Sequence, residues 1–217
     1  MPANRLMRSD TCMLTIPVLE GRYIRLEPLS FAHADGILAA AAGDPSLYRW
    51  SQVPQAANEV ARYIEIALQL RDAGKAAPFA TVRVADGAVI GSTRFFDLEY
   101  WAWPVGHERY GREIADVAEI GYTWLTANAI RTGVNTEAKL LMLTHAFETW
   151  GMVRICLHTD ERNYRSREAI VRTGAKFEGI LRGHRMAADF IPRNSARYSI
   201  VASEWPGAKD RLMRRLH

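Results

Sequence analysis

Ala118-Glu119-Ile120-Gly121-Tyr122-Thr123-Trp124-Leu125, followed by Ile130-Arg131-Thr132-Gly133-Val134-Asn135-Thr136, decides how this chain folds. The first run has the pattern of a strand, and the second is a polar turn that carries a glycine. Residues 137–150 continue as a long amphipathic helix and residues 153–160 as a second strand. Asn163-Tyr164-Arg165-Ser166-Arg167 then opens a short helix. A helix entered from a strand through such a turn offers unpaired N–H groups and the positive end of its aligned peptide dipoles. The dipole alone favours an anion by only ~0.3–1 kcal/mol, so useful binding needs several N–H bonds and a cation. Gly133 lets the backbone come close to a pyrophosphate, and Arg131 supplies the cation. The competing reading is an ordinary helix start capped by Asn135 or Thr136.

Working outward, residues 18–26 alternate as a first strand. Residues 31–42 and 56–73 read as helices, the second with Val60, Ile64, Ala67 and Leu68 on one face. Strands at 79–84 and 89–96 meet around Asp86-Gly87, a two-residue hairpin signal. Two more strands fit residues 176–185 and 196–202, joined by a turn around Pro192-Arg193-Asn194, and a C-terminal helix covers 205–217. No repeat, low-complexity tract or linker interrupts the chain. The order predicts one α+β domain over residues 1–217 with its core at about 18–205. Its sheet is mixed and mostly antiparallel, with flanking helices.

Residues 97–117 fit neither period, and a loop of that length inside a compact domain is usually functional or disordered. Its Tyr100, Trp101, Trp103, His107 and Tyr110 argue against disorder. Trp101 and Trp103 are the expected wall of an acceptor site. A surface-packed loop or an oligomer contact, consistent with a homodimer, is the other reading.

The 217 residues are 48% hydrophobic and 24% charged, as in ordinary soluble domains. No window approaches the roughly 18 apolar residues of a membrane span, and residues 1–15 carry no secretory signal. Cys12 and Cys156 lie far apart without metal-ligand spacing, so no metal and a reducing cytoplasmic setting are expected. The net charge of +4 admits an acidic partner. Yet the basic residues cluster only at Lys209, Arg211, Arg214 and Arg215, which a solvated helix explains better than a nucleic-acid footprint.

Five ordered motifs carry a resemblance: Glu119-Ile120-Gly121-Tyr122; Gly133 to Ala138; Ala146-Phe147-Glu148; Asn163 with Ser166-Arg167; and Gly174-Ala175-Lys176-Phe177-Glu178-Gly179. Together they resemble the GNAT acetyltransferase superfamily, most closely its branch of ribosomal-protein-alanine N-acetyltransferase-like proteins. The match runs in element order from about residue 19 to 205. It implies the GNAT fold with a splayed strand pair, and acetyl transfer from acetyl-CoA to a primary amine. It further implies that the pantetheine arm pairs along Tyr122, Thr123, Trp124 and Leu125. The pyrophosphate then lies on the turn of Arg131, Thr132, Gly133, Val134, Asn135 and Thr136. This chain departs from the family pattern at Ile130, where Arg or Gln is usual, and at Asn135, where Gly or Ala is usual. The family's frequent proton-donating Tyr aligns with Ile170.

Aminolysis of a thioester needs a neutral amine. At pH 7 a lysine amine of pKa ~10.4 is about 0.04% neutral, an α-amine near ~7.8 roughly 14%. Glu119 resembles the family's carboxylate that serves as base or water relay; a structural carboxylate is the alternative. His158 shares a strand face with Cys156 and Asp160 and stands as reserve base beside the acceptor, or as a structural residue. Ser166 either protonates the leaving thiolate or caps its helix, with Asn163 and Arg167 beside the cofactor. His145 and the stripe Leu140, Leu143, Phe147 and Trp150 read as packing. No Cys-His-Asp order supports an acyl-cysteine route through Cys156.

The expected function is acetyl transfer, by direct attack in a ternary complex, to a protein N-terminus, an aminoacyl group or a small-molecule amine. The alternative is a non-catalytic acyl-CoA-binding module that senses or scaffolds.

Overall fold

A computed structural model of the chain describes residues 16–43 and 45–216. The expectations for residues 1–15, Cys12 among them, lie outside the described residues. Eight strands form one sheet in the order β1-β2-β3-β4-β5-β6-β8-β7, where β1 is Leu19–Glu20, β2 Ile24–Pro28, β3 Ala76–Arg83 and β4 Val89–Glu99. β5 is Val117–Leu125, β6 Arg154–Asp160, β7 Lys176–Met186 and β8 Pro192–Val201. Every neighbouring pair is antiparallel except β5 with β6. The helices are α1 (Ala34–Ala41), α2 (Ala57–Asp72), α3 (Val134–Thr144), α4 (Tyr164–Arg172) and α5 (Trp205–Arg214).

The sheet is covered on both faces, and β3 states why in its own residues. Ala77 and Phe79 join the large core with Met142, Leu143 and Leu212 of α3 and α5. Ala80 and Val82, pointing the other way, join Ile37 and Ile64 of α1 and α2. Such a strand loses alternation and reads as a continuous apolar run.

The single strand expected at 18–26 is broken into β1 and β2. The carboxylate of Glu137 accepts the backbone N–H groups of Arg22 (2.7 Å), Tyr23 (2.8 Å) and Ile24 (2.9 Å), and these bonds hold the chain in a turn. A Cβ on Gly21 would stand 2.6 Å from Glu137 Cδ, so this approach requires glycine. The helix expected from residue 137 starts earlier, at Val134. Its last turn, His145–Thr149, widens to π geometry, with Trp150 N–H donating to His145 O. The turn expected at Pro192-Arg193-Asn194 lies instead at residues 187–191. There Ala187 N–H donates to Ile191 O, and Pro192 begins β8 at the end of a strand, where its missing N–H is tolerated.

The β5–β6 pair sets up the site. It runs through only three register positions, Val117↔Arg154, Ala118↔Ile155 and Glu119↔Cys156. Past Glu119 the two strands diverge, while β6 stays paired to β8 up to Asp160↔Ser195. On its other side β5 bulges against β4, with Tyr122 in the left-handed region at φ 51°. The upper half of β5 therefore has an unpaired edge facing a gap.

Candidate active site

A cleft of about 920 Å³ occupies the gap. Tyr122, Thr123, Trp124 and Leu125 of β5 line it, as do Arg131, Thr132, Asn135 and Thr136 of the turn. Glu119, His158, Asn163 and Ser166 line its other end. The topology thus gathers residues from four elements at one sheet opening.

The turn is built differently from the expectation. Arg131, at φ 63°, takes the left-handed position, while Gly133 is right-handed at φ −67° and ψ −14°. Asn135 sits inside α3 and needs no positive φ. Thr132 Oγ1 donates to Ala129 O (2.7 Å) and accepts Val134 N–H (3.2 Å). The N–H groups of Asn135 and Thr136 take no partner among the described residues. Gly133 and Val134 do not line the cleft: Val134 is buried, and a Cβ on Gly133 would stand 3.4 Å from Tyr23 and Leu216. Arg172 and Arg215 line the cleft as well, so the C-terminal helix read as merely solvated contributes a cation.

At the other end Glu119 is 4% exposed. Its Oε2 accepts from Arg185 Nη2 at 2.8 Å, and Arg185 also reaches Asp97 Oδ2 at 2.5 Å. His158 Nδ1 lies 2.8 Å from the same Oε2, close enough for an ion pair but not aligned as a hydrogen bond. Glu119 Oε1 has no hydrogen-bond partner among the described residues. One carboxylate oxygen is anchored and the other is open to a proton. The His158 ring packs 5.1 Å from that of His184, whose pKa is lowered by burial and then by the charge of Arg185.

Asn163 caps α4, its Oδ1 accepting Ser166 N–H at 3.1 Å. The Ser166 hydroxyl engages no other described group and lines the cleft. The capping role weighed for both residues falls to Asn163 alone, and the serine side chain makes no cap bond and is available. Arg167 does not line the cleft. Its Nε donates to Tyr198 Oη (3.1 Å) and its Nη1 to Glu161 O (3.2 Å), which pins α4 to the sheet.

The structure does not bring Trp101 and Trp103 to the cleft. Asp116 accepts the Trp101 N–H (2.8 Å) and the Trp103 indole N–H (2.9 Å), and Trp103 stacks on His107 at 4.2 Å. Arg109 and Arg112 tie the same loop to the carbonyls of Gly151 and Trp150. The loop is thereby fastened at the closed end of the β5–β6 pair, away from its opening.

Sequence reasoning missed Lys139. It lies on α3 facing the cleft, is 6% exposed, and its Nζ donates to Thr123 Oγ1 at 2.8 Å. Burial pushes its pKa down to about 7. A lysine two residues past Glu137 on a helix read as packing was the available signal. Arg185 and Arg193, from the last hairpin, were also missed.

The sequence pattern of the family described as acetyltransferase (GNAT) domain matches residues 24–176. No curated protein matches the chain. Among solved structures, a GCN5-related N-acetyltransferase from Brucella melitensis is similar at 28% identity and TM-score 0.79, covering 94% of this chain and 87% of that one. A structure from T. thermophilus, assigned to the acetyltransferases, is 32% identical with TM-score 0.74, covering 94% of this chain and 100% of that one. Mycobacterium smegmatis RimJ, solved with CoA-disulfide, shares the fold at 22% identity and TM-score 0.72, with 88% of each chain covered.

Proposed function

The chain belongs to the GNAT acetyltransferase family, and from that premise we propose that it transfers acetyl from acetyl-CoA to a primary amine in a ternary complex. The acceptor is a protein N-terminus, an aminoacyl group or a small-molecule amine. The observation that carries this reading is the β5–β6 pair ending at Glu119, with an anion-ready turn at one end of the gap and a half-free carboxylate at the other.

The residues present fit the cofactor. The open edge of Tyr122 to Leu125 suits an amide-bearing pantetheine arm, and free N–H groups with Arg131, Arg172 and Arg215 suit its phosphates. When bound, acetyl-CoA supplies an activated acyl carbon and a thiolate leaving group. Glu119 Oε1 takes a proton from the amine, directly or through a water, while Arg185 holds Oε2 and fixes the carboxylate plane. Ser166 Oγ offers a hydrogen bond to the departing sulfur. Ile170, lining the cleft where the family usually has a tyrosine, favours the second reading, a non-catalytic acyl-CoA-binding module.

The two readings separate in one assay: thiol release from acetyl-CoA across a panel of α-amines, lysine peptides and small amines. Turnover by the wild type is expected, with Glu119→Gln losing at least about tenfold in kcat and little acetyl-CoA affinity. That loss shrinks as rising pH supplies more neutral amine. Tight acetyl-CoA binding without turnover of any amine would establish the second reading.

A further inference from the structure

Arg185 of β7 and Arg193 of β8 are direct register partners, two guanidinium groups at opposed positions of one antiparallel ladder. Like charges so placed destabilise a sheet unless something compensates them. Arg185 is compensated by Asp97 and Glu119. Arg193 is not. Its Nε donates to Ser195 Oγ at 3.0 Å, and it forms no ion pair among the described residues. The two carboxylates whose charge reaches it, Glu119 and Asp160, are already bound, by Arg185 at 2.8 Å and by Arg162 at 2.7 Å. Burial, followed by the charge of Arg185, holds its pKa below the ordinary arginine value. A half-buried guanidinium with an unused fork therefore lines the cleft. It stands across the ladder from the residue that grips Glu119, far from the turn where Arg131, Arg172 and Arg215 serve phosphates.

We infer that Arg193 is an anion receptor for the acceptor, and that the preferred acceptor bears a carboxylate close to the amine it presents. This rests on the proposed transferase reading and narrows it to an acidic amine substrate. Arginine suits the task because its planar fork meets a carboxylate with two parallel hydrogen bonds. A cationic group beside the amine, by contrast, would meet the uncompensated charge of Arg193.

Hexapeptides that differ only at their second and third residues, acidic, amide or lysine, test this, with free acidic amino acids as a separate arm. Acetyl transfer is expected to favour acidic over amide peptides by at least about tenfold in kcat/KM, the scale of one charge-assisted hydrogen bond, with lysine peptides poorest. Arg193→Gln should bring the acidic-to-amide ratio toward one, and Arg193→Lys, which keeps charge but loses the fork, should fall between. If free acidic amino acids show the dependence on Arg193 and peptides do not, the carboxylate read belongs to a small acidic substrate. Calorimetry of the same peptides on the CoA-bound protein keeps the anion site measurable even without turnover. Selective binding of acidic peptides with no acetyl transfer would sink the transferase reading and leave the receptor standing. Equal use and equal binding of all three peptides by the wild type, with free acidic amino acids equally indifferent to Arg193→Gln, overturns the receptor, as does an Arg193→Gln defect that appears wholly as lost acetyl-CoA affinity.

Discussion

Lys139 Nζ donates to Thr123 Oγ1 at 2.8 Å, which places a buried amine of α3 beneath the β5 segment whose edge is open. Burial lowers its pKa from the ordinary lysine value to about 7, so the folded state binds this proton less tightly than the unfolded chain. For a base with a depressed pKa, stability rises with pH between about 7 and the unfolded lysine value of ~10.4. Below about 7 the burden is constant and at its largest. Lys139→Met, similar in volume and uncharged, should therefore raise Tm at pH 7 and flatten the rise in stability from pH 7 to 10. Melting curves across that range check it; an unchanged pH slope would mean the amine is charged and solvated in the folded protein.

Arg131 carries both a cation and a left-handed backbone, costing about 1–2 kcal/mol for a side-chain-bearing residue. Arg131→Gly relieves that strain and removes the cation. Its Tm should rise modestly above wild type while acetyl-CoA Kd rises about tenfold. Arg131→Ala keeps the strain, so the two variants should bind equally poorly and differ in Tm. Calorimetry and melting on both separate the two contributions.

Glu137 satisfies three backbone N–H groups with one carboxylate, and it is 4% exposed. Glu137→Ala leaves those donors without their acceptor and should cost about 3 kcal/mol or more, since each charged hydrogen bond contributes ~1.5–3 kcal/mol. Glu137→Gln, with one acceptor oxygen retained, should cost less. Denaturant unfolding measures both; a loss under about 1 kcal/mol for the alanine variant would show that water or rearrangement serves the turn.

Ser166→Ala distinguishes leaving-group assistance from capping. The cap bond runs from Asn163 Oδ1 to the serine's backbone N–H and survives the substitution. Tm should therefore hold while kcat falls and acetyl-CoA Kd changes by less than about 1 kcal/mol. Asn163→Ala should show the opposite pattern, with lower stability first. Equal kcat in wild type and Ser166→Ala would assign the sulfur's proton to water.

Strand–turn–helix order was legible because alternation and helical periodicity are local properties, and residues 118–160 fold almost as their pattern states. The fault inside the turn was to expect Gly133 to bring the backbone close to the pyrophosphate, since Gly133 does not line the cleft and the left-handed position belongs to Arg131. Thr132 clamps Ala129 and Val134 around that residue. The break in the first strand was invisible because its cause, Glu137, lies 115 residues from Arg22. Trp101 and Trp103 illustrate a different limit. Their composition announced an ordered loop, but which end of the sheet it covers depends on Asp116, Gly151 and Trp150. Arg185 and Arg193 went unnoticed for a similar reason. They reach the cleft only because β8 inserts between β6 and β7, and order along a chain does not reveal that insertion.

The early end of the β5–β6 pair also makes the gap a ruler. From Ile120 to Leu125 the open edge spans six residues, about 20 Å of extended strand. On the proposed placement, an elongated carrier fastened at the turn would have its far end delivered to the same height on β5 at every encounter, beside Glu119. No side chain has to read the carrier's middle. Length is checked by reach alone: a carrier cut short could hold the turn or arrive at the carboxylate, but not both.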